Sequence, residues 1–392
     1  MKVLMVSTEY PPMLGGVGRY TSNLVKALRK AGAEVVVACS EKGNGDYTGL
    51  SPTNANNSEL LLQIAEESAP DVVHVQFEPG LYGLAMDLAN PRKKGGMTYI
   101  DTFYKKCRFP IVTTFHSAYT FKDWMGQSTA VKPGRYGTLG VPARIAVRTW
   151  RNIVHYRSYS EINREKLALS RAGICFSRYA ADQLGGGHII YHGAEPASAA
   201  LSKEEARRRF SLPPDRRIAL VTGFRTVTKG WDIVVKMKVP PGWVIVSNSA
   251  KSHFSRENME NVFEADGIID LQRGYLSDEE LSSLMFASDA VLLPYRITSG
   301  SGVMFDALAH GLPFVASDLA FFREFAEMGL GITAKRDPES FARAIETIGH
   351  SYDKYSRAAQ AFKEKLRWDF VARQHVQIYS GSAALGDQSF AV

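Results

Sequence analysis

Four short segments carry residues whose types and spacing could do chemistry. In Pro11-Pro12-Met-Leu-Gly15-Gly16-Val-Gly18-Arg19-Tyr20, glycines fall between a first apolar run and a helical pattern. A glycine-rich turn lets backbone N–H groups approach a phosphate, and a helix N-terminus adds partial positive charge. The third glycine of G-x-G-x-x-G is missing and no matching acid is evident, so this is not a dinucleotide fingerprint. In Gly223-Phe-Arg225-Thr-Val-Thr-Lys229-Gly230, two cations stand at another strand end. Arg offers a bidentate fork and Lys a point charge, which suits a cluster of anionic oxygens. Two ordinary surface cations is the competing reading. In Thr298-Ser299-Gly300-Ser301-Gly302-Val303-Met-Phe-Asp306, hydroxyls and glycines open a helix that carries a carboxylate. In Thr113-Thr-Phe-His116-Ser117, a histidine ends an apolar strand. Such a histidine is either a capped loop residue or a group that handles hydroxyls and protons. No cluster has sensible metal-ligand spacing.

These segments need a frame, and the chain reads as strands alternating with helices. Strands are expected at 2–8, 34–39, 72–76, 110–115, 174–177 and 189–191, with a helix at 20–31. After the turn signal His192-Gly-Ala-Glu-Pro196 the pattern restarts. Strands are expected at 217–223, 243–247, 267–271, 290–294 and 313–317. Helices are expected after Lys229 and at 278–287 and 303–310. This alternation implies parallel sheets with helices on both faces. Two such runs imply two doubly wound α/β domains, 1–196 and 197–365, with ligands at the carboxyl ends of their strands. The remainder, 366–392, opens with an amphipathic helix headed by Trp368.

The bulk composition agrees with two domains. The chain has 392 residues, 45% hydrophobic and 22% charged, too long for one ordinary core. Three dispersed cysteines, Cys39, Cys107 and Cys175, argue against a disulfide framework and for a reducing compartment, the cytoplasm. No apolar run reaches the ~18 residues of a spanning helix, and the opening Met-Lys-Val-Leu-Met-Val-Ser is too short for a signal core. The net charge of +7 lies wholly in the first half, and 101–180 holds 14 Lys/Arg against 4 Asp/Glu. That stretch is either a solvated basic face or a surface for anionic lipid head groups or a phosphate-bearing acceptor. Nucleic acid is the least favoured partner.

Beyond these local readings, the order of pieces in the second half resembles a known family. The pieces are 223–230, Asp270-Leu-Gln-Arg273-Gly274-Tyr275-Leu-Ser-Asp-Glu-Glu, Ala287-Ser-Asp-Ala-Val-Leu-Leu-Pro294 and 299–318 through Gly311-Leu-Pro313. They are similar to the nucleotide-sugar half of a family 4 glycosyltransferase of the GT-B type. The Pro-Pro-x-x-Gly-Gly-x-Gly loop is similar to that family's opening loop, and Thr113–Ser117 to its Thr-x-His-Ser position. The resemblance covers nearly the whole chain, strongest at 1–40 and 217–324 and weak at 41–70 and 118–160.

The resemblance implies a GT-B fold, two Rossmann-like domains facing a deep cleft, with the tail crossing back to the first. It implies transfer of a hexosyl group, with retention, from a UDP- or GDP-linked sugar to a glycan, glycolipid or lipid-phosphate acceptor. No cofactor or metal is implied. Arg225 and Lys229 would stabilise the leaving diphosphate, and His116 would meet the sugar or the acceptor proton. Gly15, Gly16, Ser299, Gly300, Ser301, Gly302 and Val303 would line the donor. Arg273, Gly274 and Tyr275 would touch the base through the backbone, and Asp306 would hold the ribose. Glu324 matches a family acid. Two departures stand out. Arg225 sits closer to Lys229 than in the most familiar version, and Thr298 replaces the first of two acids normally eight residues apart. Two rivals follow: a nucleotide-sugar epimerase of the same architecture, which would want paired acids not seen here, and a non-catalytic sugar-nucleotide-binding protein.

Overall fold

The computed structural model describes residues 1–83, 98–128, 141–197, 201–250 and 266–381. Among these, 1–121, 141–193 and 368–381 form one compact unit, and 122–128 with 194–367 form a second.

The first unit is built on a seven-stranded, all-parallel sheet. Its strands are β1 (Lys2–Val6), β2 (Glu34–Ser40), β3 (Tyr47–Leu50), β4 (Val72–Phe77), β5 (Ile111–Phe115), β6 (Ala172–Cys175) and β7 (His188–Ile189). Their order is β3-β2-β1-β4-β5-β6-β7. β4 and β5 are buried along their whole length, as a parallel sheet covered on both faces requires. Along β4, Val73, Val75 and Phe77 join a core with Tyr82, Ile100, Phe103, Phe115 and Ile162. His74 and Gln76 alternate to the opposite face. That face is covered by the helices Gly16–Lys30 and Trp368–Tyr379, which pack on each other. Trp368 lies against Gly193, where a Cβ would come within 2.5 Å of the indole. Only a glycine admits that ring, and the contact seats the tail helix on this unit.

The second unit repeats the plan with six parallel strands. They are β8 (Arg217–Phe224), β9 (Trp243–Ala250), β10 (Ile268–Asp270), β11 (Ala290–Leu293), β12 (Phe314–Ser317) and β13 (Gly331–Ala334), in the order β10-β9-β8-β11-β12-β13. Trp231, Ile245, Leu292, Val315, Phe341 and Ile345 lie at its core. Each fully buried large side chain contributes on the order of 2–3 kcal/mol. The helix Asp278–Ala287 begins at a capping box, with Ser277 accepting from Glu280 N–H and Glu280 reaching back.

Candidate active site

In each sheet the strand order reverses beside one strand, at β1/β4 and at β8/β11. Loops leaving such a pair diverge and open a crevice at the strands' carboxyl ends. The glycine-rich loop after β1 and the loops after β8 and β11 leave from these two places.

In the second unit, the loop after β8 rests directly on the end of β11. A Cβ at Gly230 would collide with the Pro294 carbonyl, and Gly230 holds a positive φ of 77°. Arg296 N–H donates to the Thr228 carbonyl at 2.8 Å. Lys229, partly exposed, places Nζ 3.9 Å from the centre of the Tyr295 ring. Arg225 Nε donates to Ser249 Oγ at 2.5 Å, and its N–H donates to the Ala250 carbonyl. Both cations are thereby fixed on one loop at the switch point. Three residues not anticipated from the sequence brace them. Asp232 takes Arg296 at 2.8 Å and Arg336 at 2.5 Å on its two oxygens, while Arg336 Nε donates to the Pro294 carbonyl. This cluster ties together the loops after β8, β11 and β13 and keeps a net positive charge next to Lys229. Burial holds the Arg336 guanidinium below its usual range.

The loop after β11 shows what Thr298 does in place of an acid. Its hydroxyl donates to the Gly300 carbonyl and accepts from Gly300 N–H, closing a small turn. Ser301 Oγ accepts Met304 N–H at 3.2 Å and so caps the helix Gly302–Ala309. That oxygen is thus engaged as an N-cap. The first-turn amides of Gly302 and Val303, partly exposed, lack intrahelical acceptors and can meet an anion. Ser299 is buried beside them, and Gly300 is partly exposed. Asp306 lies on the same helix face as Val303 but is only 4% exposed.

The base-side segment is held from within the same unit. Asn248, buried at the end of β9, donates to the Gly274 carbonyl at 2.8 Å and accepts Arg273 N–H at 3.1 Å. Two of the backbone groups expected to read a base are therefore already taken. The Arg273 guanidinium stacks 5.0 Å from the Phe210 ring centre and lies near Glu280. Tyr275 is 42% exposed and its ring leans on Phe224, with centroids 6.1 Å apart. Glu324 sits on the helix Ala320–Glu327.

In the first unit the glycine-rich loop already holds an anion of its own. Glu9 Oε1 accepts Gly18 N–H at 2.7 Å, and the carboxyl also takes the Val17 amide. A Cβ at Gly15 would fall 2.1 Å from that carboxyl carbon. The missing side chain of Gly15 makes room for Glu9. At Gly16, by contrast, a Cβ would meet nothing within 4 Å. After β4 comes Glu78, hydrogen-bonded to Ser117 and to Gly80 N–H. Burial raises both carboxyls, and the charge of Glu9 further favours the protonated form of Glu78. This is a pair of neighbouring acids that the sequence reading did not see. Beside it stands His116, with Nε2 2.9 Å from Gln76 Oε1. The rings of Tyr20 and Phe176 meet it edge-on at 5.3 and 5.2 Å. Burial, and secondarily His192, pushes its pKa down to about 3, so the imidazole is neutral.

Comparison with known proteins fits these two halves separately. Residues 14–198 match the family model described as Glycosyltransferase Family 4, and residues 244–350 match the one described as Glycosyl transferases group 1. The chain belongs to the family 4/group 1 glycosyltransferases. This glycosyltransferase is 23% identical over 412 residues to glycogen synthase of Mycobacterium tuberculosis, covering 97% of this chain and 94% of the relative. Its fold is GT-B. The sucrose-phosphate synthase structure from Thermosynechococcus elongatus superposes with a TM-score of 0.68 at 15% identity, covering 97% of this chain and 98% of that one. HepE of Anabaena, solved in complex with UDP-glucose, does so with 0.64 at 15% identity, covering 97% and 100%.

The glycosyltransferase's basic stretch is less free than its composition suggests. Lys105 pairs with Glu165 at 2.8 Å and Arg108 with Glu66 at 2.5 Å, while buried Lys166 pairs with Asp101 at 2.6 Å. The helix Val141–Leu169 is continuous and exposes Val147, Ile153, Val154, Arg157 and, at 63%, Trp150. The side chains of Arg144, Arg148 and Arg151 lie outside the described residues. Among the described residues no helix is long and apolar enough to cross a membrane.

Proposed function

We propose that this glycosyltransferase moves a hexosyl group from a UDP- or GDP-linked sugar to a glycan, glycolipid or lipid-phosphate hydroxyl, with retention. The observation that carries the reading is the set of positive groups at the β8/β11 switch point: Arg225, Lys229 and the first-turn amides of Gly302 and Val303. A diphosphate gains charge as the bond from its oxygen to the sugar's anomeric carbon breaks. Fixed cations there stabilise the transition state more than the ground state. In the proposed reaction the acceptor oxygen attacks that carbon from the face the diphosphate leaves, through an oxocarbenium-like state. Its proton passes to the departing phosphate oxygen, so no enzyme nucleophile is consumed. The family supports retention, and HepE's complex with UDP-glucose supports a uridine donor.

On this reading Gly16, bare on its outer side, lets a donor phosphate approach. The exposed face of Tyr275 offers the base a stacking surface. Asp306 binds the ribose, so Asp306→Ala is expected to raise the donor KM and change kcat less. A large fall in kcat at unchanged KM would make Asp306 a catalytic carboxylate instead. The cations and amides do the work of a divalent metal. Product formation is expected to persist in EDTA; loss restored by magnesium or manganese would contradict this.

The exposed Trp150 face of the basic helix is proposed to rest on anionic lipid, where each cation near the surface is worth about 1 kcal/mol. Sedimentation with anionic vesicles should carry the protein down at low salt and release it at high salt. Equal indifference to neutral and anionic vesicles would leave a soluble acceptor. The Glu9–Glu78 pair keeps the epimerase reading in view. Product analysis decides that point, since an epimerase yields a second sugar nucleotide and no glycoside, and the anomeric configuration of a glycoside tests retention.

A further inference from the structure

The face of β4 that carries His74 and Gln76 is buried, and buried polar atoms need partners. The Gln76 amide has three. Its Nε2 lies 3.2 Å from Met5 Sδ and 3.2 Å from His74 Nε2, and its Oε1 lies 2.9 Å from His116 Nε2. A thioether sulfur only accepts. Turning the amide over would press its oxygen against that sulfur with no proton between them. The nitrogen therefore faces Met5, and the oxygen faces His116. An amide oxygen can only accept, so His116 Nε2 must carry a proton.

The far end of the chain is consistent. Gln76 Nε2 donates to His74 Nε2, and Thr114 Oγ1 lies 2.8 Å from the same nitrogen. Neutral His74 then holds its proton on Nδ1 and donates it to Tyr379 Oη at 2.6 Å, on the tail helix. In this arrangement the Gln76 amide hydrogens, His74 Nδ1–H and His116 Nε2–H each face an acceptor, and His74 and His116 are both neutral.

We infer that Gln76 is a positioning residue that fixes His116 as the Nε2–H tautomer, leaving Nδ1 as a hydrogen-bond acceptor. His116 then recognises a hydroxyl donor, on the sugar or the acceptor, and offers no N–H to an anionic oxygen through Nδ1. This rests on the proposed contact of His116 with a substrate hydroxyl and narrows it to one polarity. With its pKa near 3, the imidazole orients that hydroxyl and does not take its proton.

The test reads the tautomer directly. In the full chain labelled with 15N-histidine, the His116 signals are those lost in His116→Asn. The unprotonated nitrogen should be Nδ1, and the pattern should hold from about pH 8 to about pH 5. An unprotonated Nε2, or an exchanging mixture, overturns the inference without any variant of Gln76. In Gln76→Leu the single tautomer should give way to a mixture, and kcat/KM should fall about tenfold. Gln76→Glu keeps an acceptor in place but adds a charge that favours the imidazolium. The acid limb of its kcat/KM profile should therefore move up by about one pH unit or more. A lower melting temperature with tautomer and profile unchanged would make Gln76 merely structural and overturn its role. The expected native tautomer with a profile indifferent to Gln76→Glu would uphold the tautomer and remove His116 from the reaction.

Discussion

Lys229→Ala is expected to lower turnover at saturating donor by about a hundredfold or more, the loss seen when one preorganised electrostatic donor is removed. A hundredfold is about 2.7 kcal/mol of transition-state stabilisation. The expectation follows from where the ammonium is held. Its Nζ sits over the Tyr295 ring at the β8/β11 switch point, on a loop that Gly230 packs against Pro294. The Asp232 cluster with Arg296 and Arg336 braces the same place. Folding should change little. The side chain is partly exposed, and its contact with Tyr295 is worth about 1 kcal/mol. Steady-state kinetics beside a thermal melt separates the two effects. Near-full turnover in the variant would move the diphosphate away from this loop.

The second large effect is acid lability of the first unit. His74, His116 and His375 are buried there, and burial depresses all three; His375 is held at about 4 against an ordinary 6.5. His375 Nδ1 donates to the Val371 carbonyl, and its buried Nε2 has no hydrogen-bond partner among the described residues. The unfolded chain binds these protons near pH 6.5 and the folded chain does not. Stability from these groups is therefore full above about pH 6.5 and is lost as pH falls toward the folded values. Between about pH 7 and about pH 5, His375 alone accounts for a loss of about 2 kcal/mol. Glu9 and Glu78 oppose this slope, because their raised carboxyls stabilise the fold most at low pH. The His375 contribution is isolated by comparison with His375→Leu. Denaturant unfolding at the two pH values should show a loss about 2 kcal/mol smaller in the variant. Parallel losses in both proteins would mean that His375 is not held neutral by the fold.

The sequence was most readable where local chemistry and tertiary demand coincide. β4 and β5 are apolar enough to declare themselves because both faces are covered, and Ser277 with Glu280 marks the start of the helix Asp278–Ala287. β3, four residues at the sheet edge with Gly49 at φ 112°, has no such signal. Arg225, Lys229 and His116 could be found because each follows an apolar strand. The residues that hold the surrounding loops could not be found that way. Glu9 reaches across to the amides of the next helix, Asn248 buckles a loop some twenty-five residues away, and Asp232 gathers Arg336 from a distant strand. Gln76 reads as one more residue of a buried strand. Nothing local shows that its amide spans Met5, His74 and His116. Thr298 was visible as a departure, but the turn it closes on Gly300 was not.

Release of free nucleoside diphosphate decides most directly whether this chain is a sugar-nucleotide-dependent transferase. The native protein and Lys229→Ala should be incubated separately with UDP-linked and GDP-linked hexoses, each with candidate glycan and lipid-phosphate acceptors. The native protein should release nucleoside diphosphate from one donor class in step with a new glycoside. The variant should do so about a hundredfold more slowly or worse. Binding of a sugar nucleotide without release, or its conversion to a second sugar nucleotide, would contradict the proposed transfer.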